Sequence, residues 1–253
     1  MNAATLMTLT AGALDVVLGS LALAFASAEG WRHFRVFAAV AFSAAAYSLG
    51  NAVFASADPP EQLVLLAGRA NMALACTHCA AWLIYVRRQY QMPIRRRERH
   101  AVGALAVIGA AALVPGWAMT GPVIEQTVHW AGVTYSISTL TGPGLLFMFV
   151  VPLFLAIPAA TYARKALAGA PGARVHVVAF MALFATVVNE SLVGAGMLDN
   201  LYLMDLGFLA AVLSVCAEMT YRVTTDAQRL RQLSDNLACE VRDRTRELML
   251  TRD

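Results

Sequence analysis

The chain has 253 residues, of which 59% are hydrophobic and only 14% charged, and its mean hydropathy is +0.61. A soluble domain carries about a quarter of its residues as charges, so the composition excludes an ordinary soluble enzyme and points to an integral membrane protein. Four cysteines are too few for a secreted disulfide scaffold. A net charge of +3, from 19 basic and 16 acidic side chains, is too mild for a nucleic-acid partner.

A spanning helix needs about 20 mostly apolar residues. Seven stretches qualify, over 4–27, 34–57, 61–86, 100–119, 143–166, 174–196 and 201–222. Basic residues follow the odd-numbered stretches: Arg32 and Arg35, then Arg87 to Arg99, then Arg164, Lys165 and Arg174, then Arg222, Arg229 and Arg231. The links after the even-numbered stretches hold no Lys or Arg. The positive-inside rule therefore predicts an outer N-terminus and a cytoplasmic C-terminus. Ala26-Ser27-Ala28 has the look of a signal-peptidase site, but no basic residue precedes the apolar run, which argues against a cleaved leader. The expected fold is an all-α seven-transmembrane bundle with a small outer β-hairpin. Its domains are a membrane region over 1–222 and a cytoplasmic helix over 223–253.

The link over 120–142 is the one sizeable outer segment. Val123–Trp130 is rich in β-formers, Ala131-Gly132 follows, and Val133–Ile137 is a second such run. Two runs around a glycine predict a β-hairpin. It either covers helix ends or acts as a lid over an outer pocket, with His129, Trp130 and Tyr135 as the lid residues.

Ionisable groups inside spans are costly and are functional candidates by default. Depth alone places Arg69, Glu190, Asp205 and Asn51 in one outer layer, with Asn189 beside Glu190 and Asp15 near the middle of the first span. Arg69 paired with Glu190 or Asp205 would neutralise buried charge. The layer is expected to form either an outward-facing polar pocket for a small-molecule or lipid ligand or a cation, or a structural ion pair that locks three helices together. In the third span Cys76 and Cys79 share a face while His78 points about 100° from Cys79, so these residues do not converge on one ion. Cys216 lies at a similar depth to Cys79. No metal, cofactor or catalytic residue is expected. The Arg95-Arg96-Arg97-Glu98-Arg99 run is expected to anchor the chain on anionic lipid, and Pro152 and Pro158 to allow bending of the fifth span.

After Arg222 the composition switches: residues 223–253 hold twelve charged residues and an apolar row of Leu230, Leu233, Leu237, Val241 and Leu248. The first spacings, 3, 4 and 4, keep one stripe on a helix. Such a helix is marginal alone in water but buries its stripe when paired with a copy of itself, so a parallel homodimer is expected. No cap or stop signal ends the pattern before Asp253, which raises the expectation that a further domain follows.

The run Gln228-Arg229-Leu230-Arg231-Gln232-Leu233-Ser234-Asp235-Asn236-Leu237, continued by Glu240-Val241-Arg242-Asp243-Arg244-Thr245-Arg246-Glu247-Leu248, resembles a bacterial signalling helix. Similar "L..LE.RV..RT.EL" runs join the membrane part to the output domains in many sensor histidine kinases and some diguanylate cyclases; here Ala238-Cys239 replaces the more usual polar pair. With seven spans ahead of it, the chain resembles the seven-transmembrane sensor region of a bacterial membrane histidine kinase. The resemblance implies a multi-pass protein of the bacterial inner membrane that relays a stimulus through a dimeric coiled coil. Output domains beyond residue 253 would pass it to a response regulator. No phosphoacceptor-type histidine follows His176, so kinase catalysis would lie beyond Asp253.

Three other functions compete. A transporter or channel would use Asp15, Arg69 and Glu190, but seven spans do not divide into equal inverted halves. A retinal photoreceptor needs a lysine in the last span, and Lys165 is the one lysine. A membrane enzyme lacks a nucleophile–base pair, a zinc motif or a phosphate loop in this sequence.

Overall fold

The computed structural model describes residues 2–28, 30–194 and 196–250, with side chains as far as Arg244. The chain divides into two compact units, Met1–Ser214 and Val215–Asp253. The fold is mostly helical. Its elements are α1 (Ala3–Phe25), α2 (Phe34–Phe54), α3 (Glu61–Gln89), α4 (Arg96–Ala112), β1 (Met119–Val128), β2 (Val133–Leu140), α5 (Gly142–Leu153), α6 (Ala156–Leu167), α7 (Ala173–Gly194) and α8 (Met204–Leu250).

Among the described residues, six segments are long and apolar enough to cross a membrane: α1, α2, α3, the α5–α6 pair, α7 and the part of α8 up to Arg244. The stretch expected over 100–119 is realised as the shorter α4. Pro115-Gly116 cannot continue a helix, and Gly116 sits at φ +78°. The fifth stretch is two helices, not one. Pro152 and Pro158 have no N–H to give, and Phe154, Leu155 and Ile157 instead bond three residues back, to Val151, Pro152 and Phe154.

In the first unit the usual distribution of polarity is partly inverted. Asp15, Asp205 and His176 are fully buried, while Leu6, Leu14, Val17, Leu23, Val107, Leu146, Val178 and Met181 are exposed. An exterior of this kind suits hydrocarbon. Consecutive helices α1 to α4 pack in sequence, each on the next, and α6 packs on α7. Small residues make these approaches close. The buried stripe of α1 is Ala4, Thr5, Thr8, Ala11, Gly12, Asp15, Gly19 and Ala22. A Cβ on Gly12 would stand 3.1 Å from that of Ser48, and one on Gly19 would stand 3.0 Å from the Phe42 ring.

Two antiparallel strands form the hairpin, in the register Thr127↔Thr134 and Val128↔Val133, with an irregularity between Thr120 and Val123. A single 3-10 turn over His129–Ala131 and Gly132 at φ +60° close it. Gly132 supplies the left-handed residue that such loops require. The predicted two-run pattern around this glycine is therefore present, extended at both ends. Val128, Val133 and Tyr135 bury against Ala4 and Ala55, so the hairpin packs on the ends of α1 and α2.

The Arg95–Arg99 run has a structural role at Glu98. The Glu98 carboxylate accepts from the Arg95 backbone N–H at 2.9 Å, capping α4, and pairs with the buried Arg87 guanidinium of α3. Burial alone would raise the Glu98 pKa. The Arg87 hydrogen bond, the Arg95 N–H and the charges of both arginines outweigh it and hold the carboxyl below its ordinary range.

In the second unit Leu230, Leu233, Leu237 and Val241 are 57–68% exposed. Leu248 lies outside the described side chains.

Candidate functional site

The first unit holds a cavity of about 390 Å³, within the range of about 300–1,000 Å³ typical of small-ligand sites. Its roof is the hairpin, through Met119, Ile124, Tyr135 and the Ile137–Leu140 segment. One wall is a stripe of α3, Gly68, Asn71, Met72, Ala75 and Cys79, spaced three and four apart so that they share a helix face. Opposite walls come from α5 (Leu145, Phe147, Met148, Val151), α7 (Val187, Glu190, Ser191) and the start of α8 (Met204, Phe208). Tyr47, Asn51 and Phe54 of α2 complete it. The break in the fifth stretch contributes here, since Val151, Pro152 and Leu155 all face the space.

The lining is mostly apolar, with a polar network on one side. Asp205 Oδ1 accepts from Ser48 Oγ at 2.8 Å, and both its oxygens accept from Asn51 Nδ2 at 3.2 Å. Asn51 Oδ1 accepts in turn from Asn71 Nδ2 at 2.8 Å. Three helices, α3, α2 and α8, are thus joined by one buried chain of hydrogen bonds. Gly50 makes room for it, and Gly207 lets α8 approach α7. A Cβ on Gly50 would stand 2.0 Å from Asn71 Oδ1, and one on Gly207 would stand 2.0 Å from Thr186 Oγ1.

Glu190 lies in the cavity wall and is 4% exposed. The Leu203 and Met204 backbone, at the start of α8, lies beside its carboxyl. A helix N-terminus favours negative charge. Oε2 is buried and has no hydrogen-bond partner among the described residues. Asp205 lies within electrostatic range of Glu190, and Asp15 within range of Asp205. Both oxygens of Asp15 are buried without a partner among the described residues, and Asp15 lies outside the cavity lining.

The expected outer layer is therefore only partly assembled. Asn51, Asp205 and Glu190 come together at the cavity. Arg69 does not join them: its Nε donates to Leu65 O of its own helix at 3.1 Å, it is half-buried, and it lies outside the cavity lining. Depth along a helix says nothing of rotation about it, and Arg69 is offset by one residue from the α3 stripe that begins at Gly68. Asn189 also faces elsewhere. Its Nδ2 donates to Leu201 O and its Oδ1 accepts from Asn200 Nδ2, so it pins the loop before α8.

Of the three lid residues, Tyr135 reaches the cavity. Burial pushes its phenol up to about 12; the Tyr202 backbone works in the opposite direction, and the Glu190 and Asp205 carboxyls add to the rise. His129 and Trp130 sit at the exposed hairpin tip instead. His129 Nδ1 is 3.4 Å from Asp199 Oδ2, and Trp130 Nε1 donates to Asp199 O at 3.0 Å. The hairpin is further tied down by residues not singled out from the sequence. Tyr202 Oη donates to Gln126 Oε1 at 2.8 Å, Gln126 Nε2 donates to Val193 O at 3.0 Å, and the Tyr135 and Tyr202 rings meet edge to face at 4.8 Å.

The Cys76-Thr77-His78-Cys79 segment splits between three neighbours. Cys76 faces Gly109 of α4, where a Cβ would stand 3.1 Å from its own, and Cys79 Sγ reaches towards Val151 O. His78 Nε2 accepts from Trp82 Nε1 at 2.8 Å, so Nδ1 carries the proton and faces Ser43 Oγ and Val40 O. The histidine is a satisfied packing residue between α3 and α2.

Comparison with known proteins returned no match to a family model and no similar curated protein.

Proposed function

We propose that this chain is the sensory region of a membrane receptor whose hairpin-roofed cavity holds a small lipophilic ligand. The observation that carries the reading is α8. Met204 and Phe208 form part of the cavity wall, Asp205 anchors the polar network, and the same helix carries the apolar stripe of the tail. A ligand that binds better to one arrangement of the start of α8 than to another shifts the population of that arrangement.

In this reading the chain crosses a bacterial inner membrane seven times, with α4 as the short seventh span, the hairpin outside and the tail inside. The basic residues that follow each odd-numbered stretch support that orientation. The tail pairs with its copy as a parallel coiled coil, which would cover Leu230, Leu233, Leu237 and Val241. The signalling-helix resemblance assigns the next step to histidine-kinase output domains acting on a response regulator.

Cross-linking in membranes tests the reading. With the exposed Cys239 replaced by serine, Leu233→Cys and Leu237→Cys are expected to form disulfide-linked dimers readily and Asp235→Cys poorly. Equal cross-linking at all three positions would reject the coil. The competing reading, a transporter, draws on the unpartnered carboxylate of Asp15 in mid-helix. It predicts that Asp15→Asn abolishes ion or substrate flux in vesicles, whereas the receptor has no flux to lose.

A further inference from the structure

The charge of the cavity goes beyond the receptor reading, on which this inference rests. Among the described residues, no Lys, Arg or His lines the cavity, whereas Glu190 does, with Oε2 unpartnered. That carboxyl lies beside the Leu203 and Met204 backbone at the start of α8, where a helix N-terminus favours negative charge. Asp205 stands behind Asn51 on the same side, and the guanidinium that sequence depth would have offered as counter-ion, Arg69, bonds its own helix. Away from the Asn51–Asn71 side the wall is mostly apolar, with Met72, Met148 and Phe208 among its larger members. A carboxyl buried in an apolar, water-poor space ionises only at a cost. A ligand that donates to it and carries positive charge removes that cost, and one that carries negative charge adds to it.

We infer that the cavity selects lipophilic cations, specifically molecules with an alkyl tail and a primary ammonium head that pairs with Glu190. The alkyl tail would lie along the apolar wall of α3 and α5 beneath the hairpin. The chain would thereby discriminate against fatty acids and other lipophilic anions of the same length.

The test uses the full chain in nanodiscs of zwitterionic lipid and three matched probes: decylamine, decanol and decanoate. Ala75→Trp places an indole in the cavity and measures partitioning into the lipid. After that subtraction, decylamine is expected to bind at least about tenfold more tightly than decanoate, a difference of about 1.4 kcal/mol, with decanol between them. Glu190→Gln replaces the oxygen that accepts with a group that donates, and is expected to bring the amine down to the affinity of the alcohol. Decanoate binding as tightly as decylamine to the wild-type chain would overturn the inference, and this comparison needs no variant at Glu190. Retention of the full amine preference in a folded Glu190→Gln variant would overturn it as well. Binding of all three probes with unchanged affinity to Ala75→Trp, or binding of none to the wild type, would instead reject the cavity as a ligand site.

Discussion

Removing Glu98 tests how the third and fourth helices are held together. Its carboxylate is paired with Arg87, the two side chains being 7% and 9% exposed, so solvent screens the pair little. Glu98→Ala leaves the guanidinium with Met92 Sδ at 3.4 Å as its remaining hydrogen-bond partner among the described residues. Breaking a buried pair by deleting one partner costs about 3–5 kcal/mol, and loss of the cap on the Arg95 N–H adds about 1 kcal/mol. The expected destabilisation is therefore about 4–6 kcal/mol, reduced if the arginine swings out to water. Arg87→Met combined with Glu98→Leu should recover most of it, because apolar replacement of a whole buried pair is often neutral. The sign with pH follows from the depressed carboxyl. The Glu98 contribution is complete above the ordinary carboxylate pKa of about 4.3 and disappears as pH falls through the lower folded value. Unfolding in detergent micelles, followed by tryptophan fluorescence between neutral and acid pH, measures both effects. A Glu98→Ala variant within about 1 kcal/mol of wild type, or one that keeps the wild-type acid sensitivity, would refute the reasoning.

Three further predictions concern the cavity. Gly50→Ala puts a Cβ 2.0 Å from Asn71 Oδ1; overpacking of this kind costs about 1–3 kcal/mol, and thermal unfolding should show a loss that Gly103→Ala, in open space, does not. Asp205→Ala strands the buried donors of Ser48 and Asn51, at about 1–3 kcal/mol for each unsatisfied group, and a melting temperature equal to wild type would contradict it. Gln126→Ala cuts the ties from the hairpin to Tyr202 and Val193. Hydrogen exchange in β1 and β2 should then accelerate while exchange in α2 stays unchanged; uniform acceleration of both would point to global loosening instead.

The parts of the fold that were legible in the sequence are those set by local chemistry. Apolar run length marks the membrane-length helices, β-formers on either side of Gly132 mark the hairpin, and Pro152 with Pro158 marks the interrupted fifth stretch. The true end of α4 was also available from Pro115-Gly116, and its start from the cap that Glu98 makes. What local chemistry does not carry is rotation about each helix axis. Arg69 and Gly68 are neighbours in sequence, yet Gly68 lines the cavity and Arg69 does not. Asn71 and Asn189 look equivalent as amides within spans, but one joins the Asp205 network and the other holds the loop before α8. Gly50 carries a signal that is readable only in retrospect, since its value lies in what a Cβ there would strike. Gln126 and Tyr202 gave no signal, because their roles arise from a contact 76 residues apart in the chain.

Photolabelling shows whether a ligand occupies the cavity beneath the hairpin. A decylamine carrying a diazirine at the end of its tail would be irradiated with the full chain in nanodiscs and the adducts mapped by peptide mass spectrometry. Adducts are expected on cavity residues such as Met72, Met119 and Met148, and are expected to vanish with excess unlabelled decylamine. Adducts confined to exposed apolar positions such as Val107, Leu146 and Val178, and insensitive to competition, would contradict it.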